Sequence, residues 1–259
     1  MGRVNYISRG VGPTVIFLHG IGGGAESFAH QVDTFAAAGY QAVAWDMPGY
    51  GSSPPLNEVT FPALCDALAD VFVDLSIATA HVVGHSIGGM VLQQFARTHQ
   101  SQLSSMVLAE TSPAFGNPDG DFQKQFVAAR LAPLKAGQTM AEVAAYVVPT
   151  LVGNGTAADN IAFAEACMSK VPPEIYEATM RCLVTFEGRD ALSRIRVPVL
   201  ALAGEKDTNA PAPMMERMAS KIECAEYVCL PKVGETREHK GQCLLSRVQN
   251  SANSQRCKL

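Results

Sequence analysis

AHVVGHSIGGMVLQQFARTH, residues 80–99, sets a short apolar run rich in β-branched residues against an apolar stripe at helical spacing, with Gly84-His85-Ser86-Ile87-Gly88 between them. The first run predicts a buried strand and the second a helix, so the serine stands where the chain must reverse from one to the other. Such a turn is sharp, and small residues two positions to either side let strand and helix approach. It exposes the Ser86 hydroxyl and aims the Ile87 N–H, at the positive end of the new helix, at the space above it. G-x-S-x-G alone arises by chance in glycine-rich chains, where an ordinary serine in a turn is the competing reading. Its position between strand and helix gives the motif weight here.

Working outward, the same alternation continues on both sides. TVIFLHG (14–20) reads as a strand, 25–38 as a helix stopped by Gly39, YQAVAWD (40–46) as a strand, and 60–75 as a helix with Thr60 as N-cap. LSSMVLAE (103–110) follows as a strand. Residues 113–195 break the pattern with four helical stretches, 121–134, 139–152, 157–170 and 172–186, before 197–204 (strand), 212–222 (helix) and 225–231 (strand) restore it. Strands alternating with helices predict an α/β fold with a mostly parallel central sheet and helices on both faces. The expected organisation is a core of 1–112 and 196–259, with 113–195 as an inserted helical cap over the strand ends, where open sheets bind ligands.

The 259 residues, 47% hydrophobic and 17% charged, are enough for one large core. A formal charge of −4 offers no basic field for nucleic acid or an anionic membrane, so the expected partner is a small molecule. No apolar run resembles a signal peptide or approaches the ~18 residues of a membrane span, and the expected compartment is the cytoplasm. Seven cysteines without paired metal spacing point to reduced thiols and no structural metal.

Two further elements complete a candidate site. In His19-Gly20-Ile21-Gly22-Gly23-Gly24 the glycines let backbone approach a substrate, and the Ile21 N–H is a second candidate oxyanion donor; one such donor contributes roughly 3 kcal/mol in the transition state. His19 reads as a structural histidine. A phosphate loop is excluded because no Lys-Ser/Thr pair follows the glycines. Asp207, in ALAGEKDTNAP (201–211), follows a buried strand and could orient an imidazole; Glu205, Asp190 and Glu110 compete for that role.

HGIGGG, WDMPGYGSS, GHSIGGM and LAGEKD, in this order, resemble the α/β-hydrolase superfamily, and within it the branch of 3-oxoadipate enol-lactonases, small carboxylesterases and meta-cleavage C–C hydrolases. The resemblance runs over roughly residues 5–234. It implies Ser86 as nucleophile, Ile21 and Ile87 as oxyanion-hole donors, Asp207 as the acid of a triad, and cofactor-free hydrolysis of a small carboxylic ester or enol-lactone through an acyl-enzyme. C–C bond hydrolysis and cofactor-free haloperoxidase chemistry would use the same groups. A haloalkane dehalogenase would need aspartate in place of Ser86.

The chain departs from that pattern at both ends. Before the strand at 14 there is room for one strand rather than a hairpin. After the last strand, where a Gly-His pair is expected, CLPKVGETREHKGQ (229–242) has Glu235. His239 is the nearby candidate for the base, with a solvated histidine as the competing reading. From about Lys232 the apolar pattern is lost, and Leu244, Leu245 and Val248 make barely one apolar turn. A tail replaced or out of frame would leave an apolar face uncovered, with low solubility or a homodimer as the expected result, and a protein of this fold without turnover is the alternative function. Among the helices of 113–195, Phe115, Phe122, Phe126, Met140, Tyr146 and Phe163 suit either a pocket for a small or aromatic acyl group or packing within the cap. Arg130 and Arg181 are candidates for a substrate carboxylate, against a solvated surface position.

Overall fold

The computed structural model describes residues 3–117, 119–152 and 156–231. Among these residues seven strands form one sheet: β1 (Tyr6–Arg9), β2 (Thr14–Leu18), β3 (Gln41–Trp45), β4 (Ala80–His85), β5 (Leu103–Ala109), β6 (Val199–Gly204) and β7 (Ala225–Leu230). Their order is β1-β3-β2-β4-β5-β6-β7. β1 is antiparallel to β3 and every other pairing is parallel. The single strand ahead of β2 agrees with the sequence.

The apolar runs of β2, β4, β5 and β6 are buried on both faces, as parallel strands require. Ile16, Leu18, Val82, Met106 and Leu108 join one core with Leu64 and Leu68 of α2 (Phe61–Asp74), Val91 and Phe95 of α3 (Ile87–His99), and Met215 and Met218 of α8 (Ala212–Ala219). Val15, Phe17, Val83, Val107 and Leu202 turn to the opposite face, against Val32 and Phe35 of α1 (Ala29–Ala37). Thr60 caps α2 as expected, its hydroxyl accepting from the Ala63 N–H at 3.3 Å. A 3₁₀ turn at Ala25–Phe28 precedes α1, so the helix expected from residue 25 begins four residues later.

Between β5 and β6 the chain forms α4 (Asp121–Lys135), α5 (Met140–Leu151), α6 (Ala158–Ser169) and α7 (Pro173–Leu183). The two ends of this segment are tied together: Ala114 bridges Glu187, the Phe115 N–H donates to the Phe186 carbonyl at 3.0 Å, and the Gly188 N–H donates to the Pro113 carbonyl at 2.8 Å.

Cysteine usage differs in part from expectation. Cys65, Cys167, Cys182 and Cys229 are reduced thiols, while Cys224 is disulfide-bonded. No helix among the described residues is long and apolar enough to cross a membrane.

Candidate active site

The strand order reverses at β2 and β4, since β3 lies on one side of β2 and β4 on the other. Such a switch point leaves a crevice beyond the carboxyl ends of the two strands. Both glycine motifs emerge there.

Ser86 joins β4 to α3 with φ 54° and ψ −121°, a conformation that costs a non-glycine residue about 1–3 kcal/mol and persists only where its surroundings impose it. They do so by contact. A Cβ on Gly84 would lie 2.5 Å from the Gly88 carbonyl oxygen, and one on Gly88 would lie 2.3 Å from the Leu18 carbonyl oxygen. Strand, turn and helix therefore touch through bare backbone. The Ser86 carbonyl accepts from the Thr111 hydroxyl at 2.7 Å, and Gln93 donates to the Gly89 and Ser112 carbonyls, stapling α3 to the end of β5. At the first position of α3, the Ile87 N–H has no intrahelical acceptor.

The 19–24 loop lies against this turn: a Cβ on Gly20 would sit 3.0 Å from His85 Nδ1 and 3.2 Å from the Ser86 Cβ. His19 is buried within its own loop. Its Nε2 accepts from the Met47 N–H at 3.0 Å, which assigns the ring proton to Nδ1, and Nδ1 donates to the Gly20 carbonyl at 2.8 Å. Burial draws its pKa down to about 4, so the ring is neutral at pH 7. The Gly23 N–H reaches the same Gly20 carbonyl at 3.0 Å. In a trans peptide the N–H points opposite to the C=O, so pinning the Gly20 oxygen also fixes the direction of the Ile21 N–H. The Tyr50 hydroxyl holds the Ile21 carbonyl at 3.0 Å. His19 is structural, as its sequence context indicated.

Ser86, Ile21, Asp207, Glu110 and His85 all line one cavity of about 460 Å³, within the size range of small-molecule sites. Asp207 lies in the loop after β6, with Oδ1 accepting from the Asn209 N–H at 2.7 Å and the Ala210 N–H at 2.9 Å. Of its competitors, Asp190 is exposed and paired with Arg97 and Arg194, and Glu205 is exposed. Glu110 does reach the cavity. Its φ is 47°, its side chain is buried, and its Oε2 lies 3.4 Å from His85 Nε2.

His85, inside the motif of residues 84–88, lines the same cavity. The pairing of β4 with β5 sets His85 opposite Ala109 and brings Glu110 alongside its ring. His239 and Glu235, like the whole tail from Lys232, lie outside the described residues.

The opposite wall comes from the helical segment, with Phe115, Phe122, Phe126, Val147, Met168 and Tyr176 among its lining groups. Met140 is core, while Tyr146 and Phe163 are exposed and do not line the cavity. Arg130 lines it too; Arg181 is exposed and held by Glu177 one turn away.

Residues 15–245 match the alpha/beta hydrolase family. The chain belongs to the alpha/beta hydrolase family. Over 132 residues, 49% of its length, it is 38% identical to the dihydrolipoyllysine-residue acetyltransferase component of an acetoin cleaving system of Cupriavidus necator, and spans 34% of that protein. It is 27% identical over 231 residues to a pimeloyl-[acyl-carrier protein] methyl ester esterase of Aeromonas hydrophila, covering 86% of this chain and 88% of that one. Among solved structures, a thermophilic esterase from Thermogutta terrifontis superposes with a TM-score of 0.87 at 22% identity, over 96% of this chain and 94% of that one, a likeness of fold.

Proposed function

We propose that the protein is a serine hydrolase acting on a small carboxylic ester or enol-lactone. Ser86 attacks the carbonyl, the N–H groups of Ile21 and Ile87 hold the tetrahedral oxyanion, and water releases the acyl-enzyme. Asp207 orients and stabilises the imidazole that takes the serine proton, a role for which His239 is the candidate. Residues 1–112 and 196–259 act as the core and 113–195 as the cap that covers the cavity. The observation carrying this reading is Ser86 held at φ 54° by glycine contacts in the lining of a cavity that Asp207 also lines.

A second reading, a protein of this fold without turnover, is favoured by Glu235 at the position where a histidine is expected. A carboxylate with an ordinary pKa is a weak base toward a serine hydroxyl. Hydrolysis of p-nitrophenyl butyrate by purified protein, beside its Ser86→Ala variant, separates the two. Turnover that vanishes with the hydroxyl supports the hydrolase, and His239→Ala then tests the base. A folded protein no faster than the variant supports the second reading.

A further inference from the structure

Ile21, the candidate oxyanion donor, sits in a turn whose local sequence favours a different shape from the one it holds. The Gly23 N–H donates to the Gly20 carbonyl at 3.0 Å, so residues 20–23 form a hydrogen-bonded turn with Ile21 and Gly22 at its centre. Such a turn has two common forms that differ by a flip of the central peptide, here the one joining Ile21 to Gly22. Glycine in the third place is the signature of type II, which needs a φ of about +80° there. Gly22 nevertheless lies outside the left-handed region, so the central peptide is held the other way round.

One contact holds it there. The Tyr50 hydroxyl donates to the Ile21 carbonyl, the oxygen of that central peptide, at 3.0 Å. Tyr50 is 1% exposed, and its ring lies 4.8 Å from that of His19. The neighbouring Gly49, at φ 87°, presses so closely on α7 that a Cβ there would lie 2.6 Å from Ile175 Cδ1. Burial pushes the phenol pKa up, so the donor keeps its proton. The side from which it pulls decides the consequence. Ile21 and Gly22 line the cavity of Ser86, whereas Tyr50 lines a second hollow with Asp46 and Lys170, and Gly23 lines both. The loop is therefore a partition, with the Ile21 oxygen drawn to its back. A flipped peptide would turn that oxygen toward the cavity, where it repels the oxyanion that the Ile21 N–H is placed to hold.

We infer that Tyr50 is a positioning residue of the oxyanion hole, whose hydroxyl keeps the peptide joining Ile21 to Gly22 from flipping its carbonyl oxygen into the cavity. His19 and the Gly23 N–H pin the Gly20 oxygen, and Tyr50 pins the Ile21 oxygen. Both planar peptides that flank the Ile21 Cα are then fixed, which leaves its φ and ψ no freedom. The inference rests on the hydrolase reading for its effect on turnover, and on the loop alone for the orientation of the peptide.

The test is Tyr50→Phe in the full chain, which deletes the donor and keeps the ring beside His19. With p-nitrophenyl butyrate, kcat should fall about tenfold or more while KM stays within about twofold, since the lost interaction acts on the transition state. A general loss of packing would not respond to residue 22, and this effect should. Alanine enters the left-handed region roughly tenfold less readily than glycine, so in a Gly22→Ala background the same Tyr50→Phe substitution should cost several-fold less in kcat. A fall in kcat that Gly22→Ala leaves as large, no fall, or a change confined to KM overturns the inference while the hydrolase reading stands.

A chain that hydrolyses no ester sinks the hydrolase reading instead, and the crystal structure of Tyr50→Phe then decides the orientation of the peptide without turnover. A flipped peptide with Gly22 at positive φ sustains the hold of Tyr50 on the loop; the wild-type orientation retained in the variant refutes it.

Discussion

Along the sheet edge, a Cβ placed on Gly84, Gly88 or Gly89 would lie 2.5, 2.3 or 2.7 Å from its nearest neighbour; on the helical side, Phe122 and Tyr146 stand 65% and 70% exposed. The turn at Ser86 leaves its backbone no room for a Cβ, while the helical segment carries exposed Phe122 and Tyr146 and has Pro133 and Pro149 inside its helices. Chemistry that depends on where two N–H groups and a hydroxyl point belongs on the first half, because backbone contact positions them with no side-chain entropy to lose. Selection among substrates belongs on the second, where a side chain can change without moving the turn that carries Ser86.

The largest expected effect lies at the sheet edge. Ser86→Ala should remove ester turnover by a factor on the order of 10⁶ where a base completes the triad, because such groups act as a unit, with an unchanged circular dichroism spectrum. A steady-state assay in which the variant keeps a tenth of wild-type activity would break the assignment of chemistry to this half.

The comparison is sharpened by adding a methyl at two glycines of the sheet half, one pressed against β2 and the other against a side chain of the helical segment. Gly88→Ala drives a Cβ to 2.3 Å from a backbone oxygen that belongs to β2 and cannot yield. A loss of about 3 kcal/mol is expected, or roughly 6–12 °C in Tm for a chain of this size. Gly22→Ala meets Met168 Sδ, on α6, at 3.3 Å. That side chain has other rotamers, so the Tm should fall by no more than about 2 °C. Equal losses in a differential scanning experiment would mean that the two halves are equally rigid.

His19 gives the sheet edge a pH signature. In the unfolded chain its pKa is near 6.5 and in the folded protein burial holds it near 4. Between these values the unfolded state binds the proton and the folded state does not, so stability is lost as pH falls from about 6.5 toward 4. At pH 5 the loss amounts to about 2 kcal/mol from this residue. His81, whose pKa burial also lowers, adds in the same direction. Urea midpoints at pH 7 and pH 5 measure the slope, and His19→Asn should flatten it by His19's share. A slope the substitution leaves unaltered would place the neutral-ring requirement elsewhere.

The same contrast explains what could be read from the sequence. Periodicity located every strand from β2 to β7, most sharply β2, β4, β5 and β6, whose burial on both faces makes them uninterrupted apolar runs, and it located α4 to α7 to within about three residues at each end. Ser86 was legible because glycines at fixed offsets between a strand and a helix have few other uses. The pairing of His85 with Glu110 was not: it depends on the register of β4 against β5, which brings residues 25 apart in sequence into contact and leaves no local trace. Cys224 escaped for a similar reason, since seven cysteines leave at least one unpaired without saying which of the others pair. Arg130 and Arg181 read alike until α4 and α7 were placed about the cavity.

The smallest expected effect lies on the helical wall and tests the comparison most closely. Phe122 lines the cavity yet is 65% exposed, with ring centroids 6.1 Å from Phe115 and 6.3 Å from Phe126. Truncating a residue so exposed removes little buried area, so Phe122→Ala should change the urea-derived stability by no more than about 0.5 kcal/mol. Deleting the ring nevertheless reshapes one wall of the cavity, and one or two methylenes of altered fit correspond to about 1–3 kcal/mol of discrimination. The ratio of kcat/KM for p-nitrophenyl hexanoate over acetate should therefore shift several-fold while the fold is unaffected. If stability fell by 2 kcal/mol instead, the Phe115–Phe122–Phe126 cluster would be structural, and the helical wall would have no more freedom to vary than the turn at Ser86.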